Sequence, residues 1–219
     1  MPWIYPTYVN SSGDHIGLES IRPLGANPLH LQPNPTLFFL ANSPAGTLLV
    51  KLVPPQCCGE SRGEAVHHML AEGGLSPLLL GTAHVAGAPS AIVMEHLDGT
   101  SGWTTLHDYV KNHQDIPIDT SHPGLAKLLE TMKSKGVVHG DLRPNNIMCR
   151  VQPGEGELEI RVIDFDWAGK VGVARYPAVM NPHIPWPGKP RELIGENDDE
   201  TLLSLTLAKL YTRNHPAPG

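Results

Sequence analysis

The sequence predicts an α+β fold in two parts: a small antiparallel β-sheet part, then a mainly helical part. Three observations support this. Short apolar runs with strand character recur between residues 36 and 97 and enclose one helical stretch. Leucines recur at helical spacing between Ser121 and Lys135, which predicts a helix with one buried face, with Ser121 as its cap and Pro123 in its first turn. Apolar and charged residues alternate from Leu158 to Ile163, as in a half-buried strand.

Composition narrows the functional class. The chain has 219 residues and a formal net charge of −6, without a basic run, so no nucleic-acid partner is expected. No apolar stretch approaches membrane-spanning length, so no membrane partner is expected either. Three cysteines fit a reducing compartment better than a disulfide scaffold. The N-terminus lacks a charged region followed by an apolar run, so we predict no signal peptide and a cytoplasmic location.

A predicted β-hairpin brings polar side chains together. Its strands run from Ile147 to Arg150 and from Leu158 to Ile163, joined by a glycine-containing turn. Because an antiparallel hairpin returns the chain to its start, Asn146 and Asp164 should lie side by side at its open end, with Asp141 one loop away. Such oxygen ligands beside a separate carboxylate suit Mg²⁺ on a nucleotide and an attacking hydroxyl. Each acid alone could equally be a turn or capping residue.

These residues resemble the protein kinase superfamily. His139-Gly140-Asp141, with Asn146 five residues later, is similar to the catalytic loop, and Asp164-Phe165-Asp166 is similar to the metal-binding motif. Closer still are the kinase-like proteins of mushroom-forming fungi, which the runs 140–144, 164–169 and 175–177 resemble. The resemblance covers about residues 35–210. It implies a two-lobed protein kinase-like fold with a shortened helical lobe.

The resemblance also implies an ATP- and Mg²⁺-dependent transfer of the γ-phosphate to a hydroxyl acceptor, either a protein Ser/Thr or a small molecule. Asp141 would be the catalytic base, and Asn146 and Asp164 the metal ligands. Arg143 stands where a lysine is usual and can bind a phosphate in bidentate fashion. Asp166 replaces the usual glycine, either as a further metal ligand or as a cap for the following turn.

Lys51 and Glu64 are the expected phosphate-binding pair. Lys51 lies inside an apolar strand, and the resemblance implies that it holds the α- and β-phosphates and pairs with a helical glutamate. A lysine at a strand edge that points to solvent is the alternative. Glu64 is the best partner, although with Ser61 it also has the spacing of a capping box. In the strand and hinge that follow, Met94, Glu95 and Leu97 are expected to surround the adenine.

We expect three segments in the chain. Residues 1–34 are predicted to be an irregular arm with one strand near Leu29–Gln32, residues 35–97 an N-lobe with a sheet and one helix, and residues 98–219 a C-lobe. Gln32 to Pro35 contain no glycine, so no glycine-rich phosphate loop is recognisable.

The end of the chain suggests how the site is regulated and covered. No Ser or Thr occurs between Phe165 and Glu200, and Gly140 stands where regulated kinases have an arginine. We therefore predict a site that Ser/Thr phosphorylation does not control, with Tyr176 as the one exception. Asp199 aligns with an aspartate that ties the catalytic loop to the last helix, or it caps that helix. This helix is apolar around most of its girth, so either a protein partner covers it or the lobe is trimmed.

Two other functions compete with this one. The missing glycine-rich loop favours a pseudokinase, that is, a nucleotide-binding or scaffolding module without catalysis. A metal hydrolase is disfavoured because the twelve histidines form no recognised zinc pattern.

Overall fold

The computed structural model describes residues 5–24, 38–44, 46–53, 62–113, 117–152 and 157–214. The chain divides into two compact units. The first comprises Met1–Ser61 and Pro77–His96, and the second comprises Arg62–Ser76 and Leu97–Gly219. Within the described ranges, no helix has the length and apolarity needed to cross a bilayer.

The first unit contains one antiparallel sheet. Its seven strands are β1 (Thr7–Asn10), β2 (His15–Gly17), β3 (Glu19–Pro23), β4 (Phe38–Ser43), β5 (Gly46–Val53), β6 (Leu79–Ala83) and β7 (Ser90–Glu95). They lie in the order β2-β1-β6-β7-β5-β4-β3. Strand β5 lies in the interior of the sheet and pairs with β4 and β7, so Lys51 lies opposite Phe38 on one side and Ile92 on the other.

The N-terminal segment differs from the irregular arm predicted for residues 1–34. Residues 7–23 form β1, β2 and β3, and Tyr8 is buried in the core of the sheet. The side chain of Asn10 closes the β1–β2 turn by accepting the N–H groups of Ser12 and Asp14. The prediction failed because short strands separated by tight polar turns show no sustained alternation. The strand predicted near Leu29–Gln32 lies outside the described residues.

The second unit is mainly helical. Its described helices are α1 (Arg62–Glu72), α2 (Leu106–Asn112), α3 (Pro123–Ser134) and α4 (Asp198–Asn214). Its described strands are β8 (Thr104–Thr105), β9 (Val137–Val138), β10 (Ile147–Val151), β11 (Leu158–Val162) and β12 (Gly169–Lys170). They form a sheet in the order β11-β10-β8 and a separate β12-β9 pair. All four helices contribute side chains to one apolar core.

Helix α1 belongs to the second unit, whereas the sequence analysis placed it in the 35–97 segment. The reason is its apolar face: Val66 and Leu70 pack into the second-unit core. Gly63 allows this close packing, because a Cβ atom there would lie 2.0 Å from the carbonyl oxygen of Phe165. Ser61, the predicted capping residue, lies outside the described part of the chain.

The helix predicted at residues 121–135 is confirmed as α3, with a different cap. His122 is the N-cap, and its Nδ1 accepts the N–H of Gly124 at 3.3 Å. Pro123 occupies the first turn, where the missing N–H costs nothing. Ser121 instead donates its hydroxyl to Asp119 at 2.6 Å. Sequence alone did not indicate His122, because the choice of cap depends on the path by which the chain enters the helix.

Helix α4 is covered by its own chain over most of its apolar surface. Leu202, Leu203 and Leu207 are buried. Leu203 and Leu207 belong to the second-unit core, and Leu210 packs against it. Leu205 is 46% exposed. The surface that a protein partner would cover is therefore smaller than the sequence indicated.

The predicted hairpin is confirmed. Strands β10 and β11 pair in antiparallel register, from Ile147 opposite Val162 to Val151 opposite Leu158. Cys149 is buried in the middle of β10, opposite Ile160.

We expect Cys149 to resist thiol reagents in the folded protein. Burial raises its pKa to about 12, so only about one thiol in ten thousand ionises at pH 8. The test is Ellman's reagent on a Cys57→Ser/Cys58→Ser variant, with and without urea. We expect labelling only in urea, and rapid labelling without denaturant would contradict the burial of this strand.

Candidate functional site

The open end of the β10–β11 hairpin positions the predicted catalytic residues. Asn146 ends a short 3₁₀ helix (Pro144–Asn146) and immediately precedes β10. Across the hairpin, the N–H of Ile163 donates to the carbonyl oxygen of Asn146 at 2.9 Å. Asp164 is the next residue. The backbone therefore brings Asn146 next to the residue that precedes Asp164, as expected from the predicted hairpin.

Asp141, Arg143 and Asn146 form one hydrogen-bonded group. The amide nitrogen of Asn146 donates to the main-chain oxygen of Asp141 at 2.9 Å and to its Oδ2 at 3.0 Å. The Arg143 guanidinium binds the same carboxylate in bidentate fashion, through Nε to Oδ1 and through Nη2 to Oδ2 at 2.8 Å. Asp141 and Asn146 are both buried. This bonding fixes the orientation of the Asp141 carboxylate.

The orientation of the Asn146 amide follows from its partners. Both neighbours of its nitrogen are acceptors, so the NH₂ group must face Asp141 and the amide oxygen must face away. That oxygen is therefore the Asn146 atom that can bind a cation.

Asp164 has an unusual backbone conformation. Its φ angle is +66°, in the left-handed region that non-glycine residues rarely adopt. Its side chain is exposed, in contrast to Asp141. A left-handed aspartate two residues beyond the end of β11 turns the chain sharply at the hairpin end.

His139 and Asp199 hold the loop from behind. The Asp199 carboxylate accepts the N–H of His139 at 2.6 Å and that of Gly140 at 2.8 Å. The resemblance assigned Asp199 this tie, and the two bonds confirm it. Burial raises the pKa of the Asp199 carboxyl, while the neighbouring His139 and the two N–H donors oppose that effect. The imidazole Nε2 of His139 also contacts the carbonyl oxygen of Ile163 at 3.1 Å.

Phe165 connects helix α1 to the same loop, a contact that the sequence analysis missed. Its ring stacks on buried His67 of α1 at a centroid distance of 4.5 Å. It also meets the His139 ring edge-on at 5.2 Å. No local signal marks His67, because its contact depends on how α1 packs in the second unit.

The segment of residues 166–197 is ordered by packing, and Tyr176 is its centre. The Tyr176 ring is buried, and its hydroxyl donates to the Asp198 carboxylate at 3.0 Å. Burial, and then the charge of Asp198, raises the Tyr176 pKa far above its usual range. Tyr176 is the one residue of this segment that the sequence left open to phosphorylation. Its hydroxyl is hydrogen-bonded to Asp198, and the residue is buried. Gly188 lies against its ring, where a Cβ atom would be 2.5 Å away.

Trp186, in the same segment, contacts Arg143, and the sequence analysis did not single it out. The guanidinium carbon of Arg143 lies 5.5 Å from the centroid of the Trp186 ring. The Trp186 ring packs at a tilt against the Trp167 ring, with 5.1 Å between the ring centroids. It also meets the Tyr176 ring edge-on, with 6.3 Å between the centroids. We call Trp167, Tyr176 and Trp186 the aromatic cluster.

The predicted nucleotide-binding residues lie in both units. Lys51 of β5 is buried, with its ammonium 5.4 Å from the centroid of the Phe38 ring. Met94 is buried in β7 of the same unit. The Glu95 side chain accepts the N–H of Leu78 at 3.1 Å. Glu64 and Leu97 fall within the second unit. The Lys51–Glu64 pair and the adenine contacts stay predictions.

A metal site at the hairpin end would have few protein ligands. Among the described residues, no group of three or more His, Cys, Asp or Glu side chains could hold a metal ion. A cation at Asn146 and Asp164 would therefore take its remaining ligands from substrate phosphates and water. That coordination is typical of Mg²⁺ on a nucleotide, so the residues present fit this ion.

Comparisons with known proteins point to kinases. Residues 78–175, less than half of the chain, match the family model described as the lipopolysaccharide kinase (Kdo/WaaP) family. Homeodomain-interacting protein kinase 1 of Caenorhabditis elegans is 33% identical over 84 residues, which is 36% of this chain and 9% of that protein. Homeodomain-interacting protein kinase 2 of Mus musculus is 36% identical over 74 residues, which is 32% of this chain and 6% of that protein. The chain thus spans less than a tenth of the length of these relatives.

A solved structure shares the fold. The Cydia pomonella granulovirus kinase PK-1 superposes with a TM-score of 0.54 at 16% sequence identity. The match covers 80% of this chain and 64% of that chain. The predicted α+β, two-lobed kinase-like fold is confirmed. Together, the fold and the partial sequence matches support membership of the protein kinase-like superfamily.

Proposed function

We propose that the protein transfers the γ-phosphate of ATP to a hydroxyl acceptor in an Mg²⁺-dependent reaction. One observation supports this above the others: Asp141, Arg143 and Asn146 form a single bonded group at the hairpin end where Asp164 follows. This set combines a fixed carboxylate, a cation and oxygen ligands for a metal, which are the parts that phosphoryl transfer needs.

The metal would be held by the Asn146 amide oxygen and the Asp164 carboxylate. When bound, Mg²⁺ neutralises charge on the phosphates and orients them for transfer. The left-handed conformation of Asp164 directs the chain away from the hairpin immediately after the proposed ligand. Residues 146 and 164 are thus proposed ligands on two adjoining backbone segments.

Asp141 would accept the proton of the attacking hydroxyl. Its carboxylate is oriented from two sides, by the guanidinium of Arg143 and the amide of Asn146, so no rotation is needed when the acceptor arrives. Arg143 uses Nε and Nη2 for this pair, which leaves Nη1 outside it as a donor for a phosphate oxygen.

The remaining roles follow the resemblance. Lys51 would hold the α- and β-phosphates with Glu64 as its partner. Met94, Glu95 and Leu97 would surround the adenine. The finer assignment to the fungal kinase-like group, a cytoplasmic location and a protein partner over Leu205 of α4 also belong to this proposal.

We expect ATP with Mg²⁺ to stabilise the protein against unfolding. A ligand at 100 times its dissociation constant adds about 2.7 kcal/mol to the free energy of unfolding of a protein that binds it only when folded. The measurement is a thermal shift with ATP and Mg²⁺, ATP alone, and Mg²⁺ alone. No shift at millimolar ATP with Mg²⁺ would overturn the proposal. Matched shifts in wild type and Asn146→Ala/Asp164→Ala would remove those residues as ligands.

A pseudokinase is the second candidate, because the sequence shows no glycine-rich phosphate loop near residues 32–35. Transfer of labelled phosphate from ATP separates the two candidates, since a pseudokinase would bind ATP and transfer nothing. The acceptors to test are carbohydrate hydroxyls, suggested by the name of the matched lipopolysaccharide kinase family, and Ser/Thr peptides, suggested by the protein kinase relatives.

A further inference from the structure

We propose that Trp186 is a positioning residue that holds Arg143 against Asp141. The claim rests on the proposed phosphotransfer and extends it, since the resemblance assigned no role to any tryptophan. The Arg143 guanidinium contacts the face of Trp186 at 5.5 Å and binds both carboxylate oxygens of Asp141. A guanidinium on an indole ring gains from cation–π attraction and planar stacking. Arg143 therefore has two contacts, and each restricts a different motion of the side chain.

Trp186 is itself held in place. Its indole N–H donates to the carbonyl oxygen of Asn181 at 2.8 Å, and its main-chain N–H donates to that of Ile184 at 2.9 Å. Pro185 and Pro187 flank it and restrict the backbone on both sides. A ring fixed by its own hydrogen bonds can determine where Arg143 lies, rather than follow it.

The aromatic cluster links this ring to the rest of the second unit. Trp186 contacts Trp167 and Tyr176, and Tyr176 is bonded to Asp198 at the start of α4. The neighbouring residue, Asp199, holds the loop that contains Asp141. Arg143 and Asp141 are thus fixed from two directions by one continuous set of contacts within the second unit.

This arrangement explains how the site can be assembled without phosphorylation. Between residues 165 and 200 there is no Ser or Thr, and position 140 is glycine. The segment therefore has no Ser or Thr that could carry a phosphate, and the catalytic loop lacks the arginine that would bind it. Aromatic packing with a cation–π contact takes over the ordering of the segment, so the unmodified chain should have an oriented Asp141.

Activity measurements provide the first test. Trp186→Leu removes the aromatic face, and Trp186→Phe retains it. We expect Trp186→Leu to lower kcat about tenfold while KM for ATP rises by no more than about twofold, because Asp141 acts in the chemical step alone and Arg143 is one of several proposed phosphate contacts, Lys51 among them. Trp186→Phe should recover most of kcat. Val179→Ala is the control, since Val179 is 86% exposed in the same segment.

A double-mutant cycle separates positioning from general packing. If Trp186 acts through Arg143, the kcat effect of Trp186→Leu should largely disappear in an Arg143→Lys background. Lysine retains the charge but has no planar group to stack. Fully additive losses, or equal losses in Trp186→Leu and Trp186→Phe, would overturn the proposal.

A third readout needs no activity. The Nε–H of Arg143 should give a protected NMR signal, assigned by its disappearance in Arg143→Lys, because it is bonded to Asp141 beneath a ring. We expect this signal to lose protection in Trp186→Leu and to persist in Trp186→Phe and Val179→Ala. An unchanged signal in Trp186→Leu would overturn the proposal. If wild type shows this signal but no ATP-dependent transfer, the proposed function fails and the positioning role is still tested. Should Trp186→Leu not fold, Trp186→Met serves the same comparison.

Discussion

Replacing Asp141 with asparagine is expected to lower kcat about 10³-fold, within the range of losses seen when a general base is removed. Each Asp141 carboxylate oxygen receives at least one N–H donor from Arg143 or Asn146. An asparagine offers one acceptor in place of two, and its NH₂ group would face donors. The variant therefore loses both the proton acceptor and the geometry of the bonded group.

The measurement is the initial rate of labelled phosphate transfer, with ATP binding followed by thermal shift. Binding should persist in Asp141→Asn, because the proposed ligands Lys51 and Asp164 lie outside the bonded group. Glu130→Gln, on the exposed face of α3, removes one negative charge away from the hairpin end and should behave as wild type. More than about a tenth of wild-type activity in Asp141→Asn would remove Asp141 as the base.

The site at the hairpin end could be predicted because its parts depend on local pairing. Alternation in Leu158 to Val162 predicted a strand, and an antiparallel partner close in sequence had to return the chain to Asn146. The register follows from burial, since a shift by one residue would expose Ile160. Thus the approach of Asn146 to the Asp164 segment required no knowledge of the rest of the fold.

Contacts between distant segments could not be predicted in the same way. Trp186 and Arg143 are 43 positions apart in the chain (186 − 143), and nothing in the proline-rich run around Trp186 indicates which cation it meets. His67 stacks on Phe165 because α1 packs into the core of the second unit, and the sequence around His67 does not indicate that packing. The N-terminal strands were not predicted, for a different reason. Their own residues show no strand pattern, and they are stabilised by pairing with distant strands, β1 with β6 and β3 with β4.

Gly140 is a position where an added side chain should disturb the loop that contains Asp141. Its φ angle is +81°, and a Cβ atom there would lie 2.7 Å from Ile194 Cδ1 and 3.1 Å from Trp167 Cβ. A left-handed alanine costs about 1 kcal/mol, and forcing a methyl group into packed surroundings costs about 1–3 kcal/mol more. The same crowding opposes any larger side chain, an arginine included, at this position. It also means that the N–H bonded to Asp199 would be displaced.

Gly140→Ala is therefore expected to lower the free energy of unfolding by about 2–4 kcal/mol. Gly136→Ala is the matched control: its φ angle is +63°, and a Cβ atom there meets nothing within 4 Å. This control bears only the backbone cost, about 1 kcal/mol. Urea unfolding of both variants, followed by tryptophan fluorescence, measures the difference. Equal losses would mean that Gly140 is required for its backbone angle alone. A larger loss at Gly140, together with reduced phosphate transfer, is the result expected if close packing of Ile194 and Trp167 holds the loop that orients Asp141.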